Sequence, residues 1–250
     1  MKVSLTLLLI VASVTTGAPV AHAATGPCRY PADVLDLANW KVALPVDDPA
    51  LAGVQPLETR QPALASYSLP PYFQVAPGCN GVQFRAPVNG VTQGSSFPRS
   101  ELREMNGTAK AAWTSTSGVH TMVIRQAITS LPADKTQVMT GQVHNATDEI
   151  AAFRLEGRNL FVSNGPQSQY KLVTGDYRLG TVFETKFVVG GGQIKAYYNN
   201  VLQATITRNF ADAYFKAGMY TLANCALSAP CSTSNYGQSV IHDLRITHTS

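Results

Sequence analysis

The feature that most constrains the fold of this chain is a period-two alternation of apolar and polar residues, which recurs along most of its length. Gly, Pro, Asn and Asp interrupt it about every ten residues, a spacing typical of antiparallel β-sandwiches. Helical periodicity is scarce. One stretch, VVGGGQIKAYYNNVLQATI (188–206), reads as consecutive strands with turns at Gly190-Gly191-Gly192 and Asn199-Asn200. The alternation therefore predicts an all-β protein.

The alternation places twelve candidate strands along the chain. They are 81–86, 97–105, 119–129, 136–145, 149–156, 159–164, 168–173, 182–189, 193–199, 201–207, 213–221 and 238–247. The Pro- and Ala-rich stretch 45–75 predicts a long surface connection, with a short helix near Leu57–Leu64. No repeat or linker divides the chain, so we predict a single domain over residues 24–250.

The first residues predict a secretory signal peptide over residues 1–23. Lys2 precedes an apolar run at 3–14, and small residues lead to Ala21-His22-Ala23, an A-x-A cleavage site. The apolar run is too short to span a membrane, and no later segment approaches spanning length. We therefore expect a secreted, extracellular protein with no membrane partner.

Four cysteines suit an exported protein with two disulfide bonds. They are Cys28, Cys79, Cys225 and Cys231, and they allow three pairings. We favour Cys225–Cys231, which closes a short Ala/Ser/Pro-rich loop, and Cys28–Cys79, which ties the N-terminal arm to the body. Neither pair is accompanied by the histidines or second cysteine pair of a zinc site. No metal and no cofactor is predicted.

The charge balance narrows the choice of partners. The chain carries 19 basic and 15 acidic residues, a formal net charge of +4 at pH 7. This mild bias is consistent with a polyanionic partner. The basic residues are spread along the sequence, and no P-loop or dinucleotide-binding glycine pattern occurs. Nucleic acid is therefore not expected as a partner, and a monomer is the expected state.

The segment FPRSELREM (97–105) concentrates charged side chains on one candidate strand. Arg99, Glu101 and Arg103 share a face because strand side chains alternate. A glutamate between two arginines can hold both guanidinium groups while each still receives a carboxylate ligand. The alternative is an ion-pair ladder on the surface.

The segment TGQVHNA (140–146) places an amide and an imidazole two residues apart. On a strand, Gln142 and His144 point to one side and Val143 to the other. A solvated strand face would give the same pattern, so this segment indicates a functional site only in combination with the segments 97–105 and 213–221.

The segment AYFKAGMYT (213–221) alternates in the same way. Tyr214, Lys216, Gly218 and Tyr220 share a face, and the intervening residues form a core face. The face combines two phenols, a cation and a glycine that leaves room for something to approach. An amphipathic edge strand is the alternative.

These three strands together lack the carboxylate pair that ordinary glycoside hydrolysis requires. Their side chains suit β-elimination at a uronic acid, in which the C5 proton is removed and the 4-O leaving group is protonated. Arg and Gln donors can neutralise the sugar carboxylate and stabilise the enolate-like charge. His and Tyr can move the two protons.

In sequence order, RSELR (99–103), QVH (142–144) and YFKAGMY (214–220) resemble the three motifs of alginate lyases of polysaccharide lyase family 7. LDLANWKVALPV (35–46) and FRAPVNGVT (84–92) resemble the same family. The resemblance therefore covers essentially the whole chain after residue 23.

The resemblance implies a concanavalin-like β-jelly-roll sandwich whose concave sheet forms the substrate groove for alginate. It implies that Arg99 and Gln142 bind and neutralise the carboxylate, that His144 is the general base and that Tyr220 is the general acid. Further residues would form or support the groove: Glu101, Arg103, Tyr214, Lys216 and Asn224.

Two positions concern substrate range. In the family, Val at the middle motif position, here Val143, is associated with mannuronate, whereas Ile is associated with guluronate-containing blocks. The family pattern often continues YFKAGxYxQ, but this chain has Leu222 in place of the glutamine. We expect Asn224, two residues on, to supply the hydrogen bond lost there.

Two alternatives to an alginate lyase stay open at this stage. A lyase acting on another polyuronate, such as glucuronan, would use the same catalytic groups. A non-catalytic carbohydrate-binding sandwich would keep the groove tyrosine and lysine but would not need Tyr220 and His144 together.

Overall fold

The computed structural model describes residues 28–250, so the predicted signal peptide lies outside the described residues. These residues form two antiparallel sheets packed face to face, which confirms the predicted all-β sandwich. Within this part of the chain, no helix has the length and apolar character needed to cross a membrane.

Sixteen strands occur within residues 28–250, together with three short 3₁₀ turns at Pro31–Asp33, Ala63–Ser66 and Pro77–Cys79. The strands are β1 (Trp40–Asp47), β2 (Pro56–Arg60), β3 (Phe73–Val75), β4 (Val82–Pro87), β5 (Arg99–Asn106), β6 (Ala109–Lys110), β7 (Val119–Ser130), β8 (Gln137–His144), β9 (Glu149–Glu156), β10 (Asn159–Ser163), β11 (Lys171–Thr174), β12 (Phe183–Gly190), β13 (Gln193–Tyr198), β14 (Val201–Thr207), β15 (Tyr214–Thr221) and β16 (Tyr236–Thr249).

The strand order brings distant parts of the sequence together. The nine-stranded sheet runs β11-β10-β9-β8-β15-β5-β1-β2, with β6 paired to β5. The seven-stranded sheet runs β14-β13-β12-β7-β16-β4-β3. The chain crosses between the sheets, for example from β4 to β5 and from β14 to β15, and β15 is inserted between β8 and β5. These connections give the predicted jelly-roll arrangement.

The core lies between the sheets and leaves one face of the nine-stranded sheet for polar side chains. Trp40, Leu102, Val143 and Phe215 are almost fully buried and contribute from four strands of this sheet, and Phe187 faces them from β12. Burying each such side chain contributes about 1.5–3 kcal/mol. Because strand side chains alternate, the residues next to them point away from the core.

Both predicted disulfides are confirmed. Cys28 and Cys79 are bonded, with Cα atoms 5.9 Å apart, and join the segment before β1 to the turn before β4. Cys225 and Cys231 are bonded across a sequence separation of 6, in the loop between β15 and β16.

The helix predicted near Leu57–Leu64 is wrong. Residues Pro56–Arg60 form strand β2, which pairs with β1 at the edge of the nine-stranded sheet. The prolines at 56 and 62 leave too few residues between them to nucleate a helix. An edge strand accepts proline at its first position because no ladder hydrogen bond is lost there.

The stretch 45–75 is also more than the predicted surface connection. It contains β2 and β3, and the side chains of Leu64 and Phe73 are fully buried in the core. Strands β1 and β6 were likewise absent from the sequence prediction. These strands are short or interrupted by proline, so their alternation is too brief to recognise.

A β-bulge in β8 determines which of its side chains lie on the outer face. In the pairing of β8 with β9, Thr140 is an extra residue between Met139 and Gly141. Strict alternation would send Met139 and Gln142 to opposite faces. The bulge brings both onto the outer face of the sheet, as bulges commonly re-aim side chains near functional sites.

Candidate active site

The three motif strands lie side by side in the nine-stranded sheet, with β15 between β8 and β5. Their register places the polar side chains opposite one another across both borders of β15. The directly opposed pairs are Tyr214–His144, Lys216–Gln142, Lys216–Arg103 and Tyr220–Arg99. Side chains that sit directly opposite in antiparallel strands share a face and contact each other.

This face carries a groove of about 490 Å³ that crosses the strands from β9 to β2. Eight of the nine residues predicted to act on substrate line it: Arg99, Glu101, Arg103, Gln142, His144, Tyr214, Lys216 and Tyr220. The convergence of sequence-distant strands on one groove is the arrangement that the sequence predicted. Among residues 28–250, no group of three His, Cys, Asp or Glu side chains is arranged to hold a metal ion.

Asn224 is the residue that the structure does not bring into this groove. Its Nδ2 donates to the carbonyl oxygen of Ser96 at 3.1 Å, and its Oδ1 accepts from the Ala226 amide at 3.1 Å. Both bonds hold the loop that follows β15. The expectation that Asn224 replaces a lost substrate contact is therefore corrected to a role within the loop.

The sequence predicted that Glu101 holds the two arginines, but in the structure its partners are different residues. The Glu101 carboxylate is 2% exposed, forms an ion pair with Lys216, and accepts a hydrogen bond from Gln142 Nε2 at 2.5 Å. Its neighbours on the adjacent strand are closer than residues two positions away on its own strand. Glu101 thus positions Gln142 and Lys216, and both arginines are left for other partners.

Lys216 supports the groove from within the sheet. Its side chain is 8% exposed and paired with Glu101. Burial lowers the pKa of Lys216, and the Glu101 carboxylate opposes this effect. Because Lys216 is a buried cation beside His144, it also influences the titration of that imidazole.

Arg103 stacks on Tyr214, with its guanidinium carbon 3.7 Å from the ring centroid. Its Nη1 is buried and has no hydrogen-bond partner within the described part of the chain. A buried guanidinium nitrogen without a partner is costly. Arg103 therefore places a positive charge at the lining of the groove.

His144 is held in one orientation by two contacts. Its Nδ1 lies 2.6 Å from the carbonyl oxygen of Asn145 and 3.1 Å from the Tyr214 hydroxyl. The rings of His144 and Tyr214 also stack, with centroids 5.4 Å apart. The carbonyl can only accept, so Nδ1 carries the proton of the neutral ring and Nε2 is left as the basic nitrogen.

Burial lowers the pKa of His144, and the nearby positive charge of Lys216 lowers it further. Both effects favour the neutral imidazole. A neutral histidine with a free Nε2 is the state that a general base requires.

Tyr220 and Arg99 lie together at the far side of the groove. The Arg99 guanidinium carbon is 4.7 Å from the Tyr220 ring centroid, and Arg99 Nη2 is 2.5 Å from Ser95 Oγ. Phe97 contacts the Tyr220 ring edge-on, with centroids 6.2 Å apart. These contacts fix the tyrosine ring and keep its hydroxyl at the groove surface.

Gly218 has a different function from the one that the sequence suggested. Its φ is +135°, and a Cβ there would lie 2.6 Å from the carbonyl oxygen of Ser100 and 2.9 Å from Glu101 Cα. The glycine therefore makes room for the neighbouring strand β5, not for a ligand.

Several groove residues were not predicted from the sequence. Lys41, Glu58 and Ser95 lie toward the β1–β2 edge or in the loop before β5, and Phe97, Met139 and Leu222 form an apolar patch beside Tyr220. The one signal for Lys41 is that it is the single polar residue in the apolar run WKVALPV (40–46).

Glu149 is another groove residue outside the predicted set. It lies directly opposite His144 in the pairing of β8 with β9 and accepts a hydrogen bond from the Ser163 hydroxyl. Burial raises the pKa of Glu149, although the Ser163 hydrogen bond and the charge of Arg154 oppose this effect.

The fold and the groove together define the class of protein: a polysaccharide lyase on a β-jelly-roll scaffold. A family model described as Alginate_lyase2, alginate lyase, matches residues 35–248. The chain belongs to this alginate lyase family. The comparison with curated protein sequences returns no match.

Solved structures agree with this assignment. An alginate lyase from Corynebacterium sp. is 53% identical, covers 90% of this chain and 100% of its own, and superposes with a TM-score of 0.86. The alginate lyase AlgAT5 from polysaccharide lyase family 7 is 44% identical, covers 88% of this chain and 99% of its own, and has a TM-score of 0.82.

A more distant structure shares the fold. The family 7 alginate lyase A1-II′ in complex with a substrate is 22% identical, covers 89% of this chain and 98% of its own, and has a TM-score of 0.74.

Proposed function

We propose that this lyase cleaves alginate by β-elimination within the groove on the nine-stranded sheet. The C5–H bond breaks, its electron pair forms the C4–C5 double bond, and the C4–O bond breaks. The products are a chain that begins with a 4,5-unsaturated uronate and a second chain that ends in a new C1 hydroxyl, because the leaving oxygen stays on C1 of the neighbouring sugar and takes up a proton. The observation that carries the proposal is that His144 and Tyr220 line one groove together with Arg99 and Gln142.

Arg99 and Gln142 are proposed to neutralise the carboxylate of the sugar that loses its proton. One Gln142 N–H is used by Glu101, and the other remains to donate to substrate. Arg99 uses one N–H on Ser95 and has four more. Hydrogen bonds and positive charge at this carboxylate stabilise the enolate-like transition state, because negative charge develops there.

His144 is proposed to remove the C5 proton through Nε2, and Tyr220 to donate a proton to the leaving 4-oxygen. The tautomer and the lowered pKa of His144 both support the role of base. In guluronate the C5 proton and the leaving oxygen are on opposite sides of the ring, so two separate groups are needed. In mannuronate they are on the same side, and Tyr220 can serve as both base and acid.

The proposal includes a preference for mannuronate. It is supported by Val143, the residue that accompanies mannuronate preference in family 7. The Val143 side chain is fully buried and faces the core, so any influence on substrate would pass through the position of the strand carrying Gln142 and His144. Replacing Val143 with isoleucine tests this directly, and a shift of relative rates toward guluronate blocks is the expected result.

We also infer that the protein is secreted after cleavage following Ala23. The predicted signal peptide supports this, as do the two disulfide bonds, which persist in oxidising environments. N-terminal sequencing of protein recovered from the culture medium would begin at Ala24. Recovery from the cell interior with residues 1–23 intact would contradict the inference.

The decisive experiment is a substrate panel. Purified protein is incubated with alginate, poly-mannuronate, poly-guluronate and glucuronan, and the ultraviolet absorbance of the unsaturated product is followed. We expect absorbance to rise with alginate and to rise fastest with poly-mannuronate. A faster rise with glucuronan would indicate another polyuronate as the substrate. Binding without product on every polymer would indicate a carbohydrate-binding sandwich.

A further inference from the structure

A second cavity, of about 630 Å³, adjoins the groove at the β1–β2 edge of the nine-stranded sheet. Lys41 and Glu58 line both cavities, and their ion pair at 2.5 Å marks the boundary between them. Arg60 of β2 and Lys110 of β6 line the second cavity but not the first. The groove therefore continues beyond the residues assigned to chemistry.

A row of directly opposed residues runs across the sheet from one cavity into the other. In order, the row is Gln142, Lys216, Arg103, Lys41 and Arg60, one residue on each of five neighbouring strands. Adjacent strands lie about 4.8 Å apart, so the row is about 19 Å long. A linear polyanion lying across the strands would meet a basic side chain on each of the last four.

The basic residues in and beside this row differ in whether a neighbouring carboxylate already pairs with them. Lys216 is paired with Glu101 and Lys41 with Glu58. Arg60 and Lys110 are exposed and take part in no ion pair within residues 28–250.

Another carboxylate, Asp48, also lines the second cavity, and its Oδ1 accepts a hydrogen bond from the Ala50 amide. Three cations and two carboxylates therefore line the second cavity, and Arg60 and Lys110 are its cations that form no ion pair within residues 28–250.

We propose that the second cavity is a distal subsite in which Arg60 and Lys110 bind carboxylates of uronate residues remote from the cleaved bond. This proposal rests on the proposed function, since it names where a longer chain of the same substrate lies. The planar fork of Arg60 suits a carboxylate, and Lys110 adds a point charge. Arg60 is two strand spacings, about 10 Å, from Arg103, so the two arginines bind carboxylates on different sugars of an extended chain.

The test compares long and short substrates in the double variant Arg60→Ala/Lys110→Ala. We expect the KM for polymeric alginate to rise about three- to tenfold and kcat to stay unchanged. A rise of this size corresponds to the loss of two exposed ionic contacts with the substrate. The shortest oligosaccharide that the enzyme cleaves should be processed at the rate of the unmodified protein, because it occupies only the first cavity.

A matched control is Arg125→Ala/Lys195→Ala. Both residues are exposed on the seven-stranded sheet, and their removal lowers the net charge by the same amount. This control should leave the polymer KM unchanged. A similar rise in the control would mean that the effect is general attraction of a polyanion, which would overturn the subsite.

A binding measurement tests the distal subsite independently of substrate cleavage. Calorimetric titration of polymeric alginate into Tyr220→Phe protein, with and without the Arg60 and Lys110 substitutions, measures affinity without turnover. A Kd raised three- to tenfold supports the subsite even if the unmodified protein fails to cleave alginate, an outcome that would overturn only the proposed function. An unchanged Kd and polymer KM, or an equal loss on short and long substrates, would overturn the subsite.

Discussion

His144 Nδ1 lies 2.6 Å from the main-chain carbonyl oxygen of Asn145, a contact that keeps the ring proton on Nδ1 and leaves Nε2 unprotonated in the neutral state. Burial and the charge of Lys216 lower the pKa of this imidazole below its ordinary value of 6.5. Proton abstraction at C5 needs the neutral ring. Protonation of His144 should therefore halve activity only at a pH below 6.5.

The first prediction is an acid limb of kcat/KM with a midpoint below pH 6.5. At pH 6.5 more than half of His144 is neutral, so kcat/KM should exceed half of its plateau value. The measurement is a pH profile on poly-guluronate, where base and acid are separate groups. His144→Gln is the control and should abolish most turnover on this substrate. A midpoint at or above pH 6.5, or a near-normal rate in the control, would contradict the assignment of the base.

The second prediction concerns Tyr220→Phe. Removing the hydroxyl removes the proposed acid, and the expected loss of kcat is about 10²- to 10⁴-fold. The fold should persist, because the Tyr220 hydroxyl has no hydrogen-bond partner within residues 28–250 and the ring contacts with Phe97 and Arg99 are retained. Thermal unfolding checks stability, and Tyr170→Phe at an exposed site is the control. A variant that keeps full activity would show that another group protonates the leaving oxygen.

The sequence predicted side-chain faces better than side-chain partners. Strand alternation correctly placed Arg99, Glu101 and Arg103 on one face, because a period of two is a local property of the backbone. The partner of Glu101 depends on which strand lies next to β5. That strand is β15, more than a hundred residues later in the sequence. Its Lys216, and neither of the predicted arginines, forms the ion pair with Glu101.

Irregular structure was the other source of error. The bulge at Thr140 has no signal in a sequence of ordinary strand residues, yet it brings Met139 and Gln142 to the same face. Asn224 lies beyond the end of β15, where alternation no longer specifies direction, and its side chain is used by its own loop. Motif positions within the strands were therefore predictable, and a position in the loop beyond a strand was not.

The third prediction concerns the buried pair of Glu101 and Lys216. Glu101→Gln keeps an oxygen for Gln142 but leaves the Lys216 ammonium without its counter-charge, and we expect the free energy of unfolding to fall by about 3 kcal/mol. Glu101→Gln/Lys216→Met should be less destabilised than the single variant, because no unpaired charge remains. Urea unfolding at pH 7 measures both. If the loss in the double variant equals the sum of the losses in Glu101→Gln and Lys216→Met measured separately, the two residues are not coupled.

The fourth prediction concerns Gly218. Gly218→Ala forces a side chain into a positive-φ position and against the backbone of Ser100 and Glu101. We expect a loss of about 3 kcal/mol in the free energy of unfolding, from backbone strain and overpacking together. Gly107→Ala is the control, since its φ is +59° and no atom lies within 4 Å of the added Cβ. The control should lose about 1 kcal/mol. Equal losses in the two variants would mean that β5 can move aside.

A second polar network lies at the end of the sandwich, on the core side of β5. Glu104 Oε1 is 2.8 Å from His248 Nε2, and His248 Nδ1 is 2.7 Å from His120 Nδ1. His120 Nε2 in turn lies 2.9 Å from the carbonyl oxygen of Ser117. These three contacts need three hydrogens, whereas two neutral imidazoles carry only two. All three contacts are therefore hydrogen bonds only when a third hydrogen is available.

The fifth prediction follows from this count. His248→Phe leaves buried polar atoms of Glu104 and His120 without partners, and the free energy of unfolding should fall by about 1–3 kcal/mol at pH 7. Glu104→Gln should be milder, because its amide can donate to His248 Nε2 while its oxygen still accepts from the indole N–H of Trp113, now 3.0 Å from Glu104 Oε2. The glutamine supplies the third hydrogen without an extra proton. Urea unfolding compares the two variants, and a loss in Glu104→Gln as large as that in His248→Phe would mean that the negative charge of Glu104, and not the hydrogen count, stabilises this end of the sandwich.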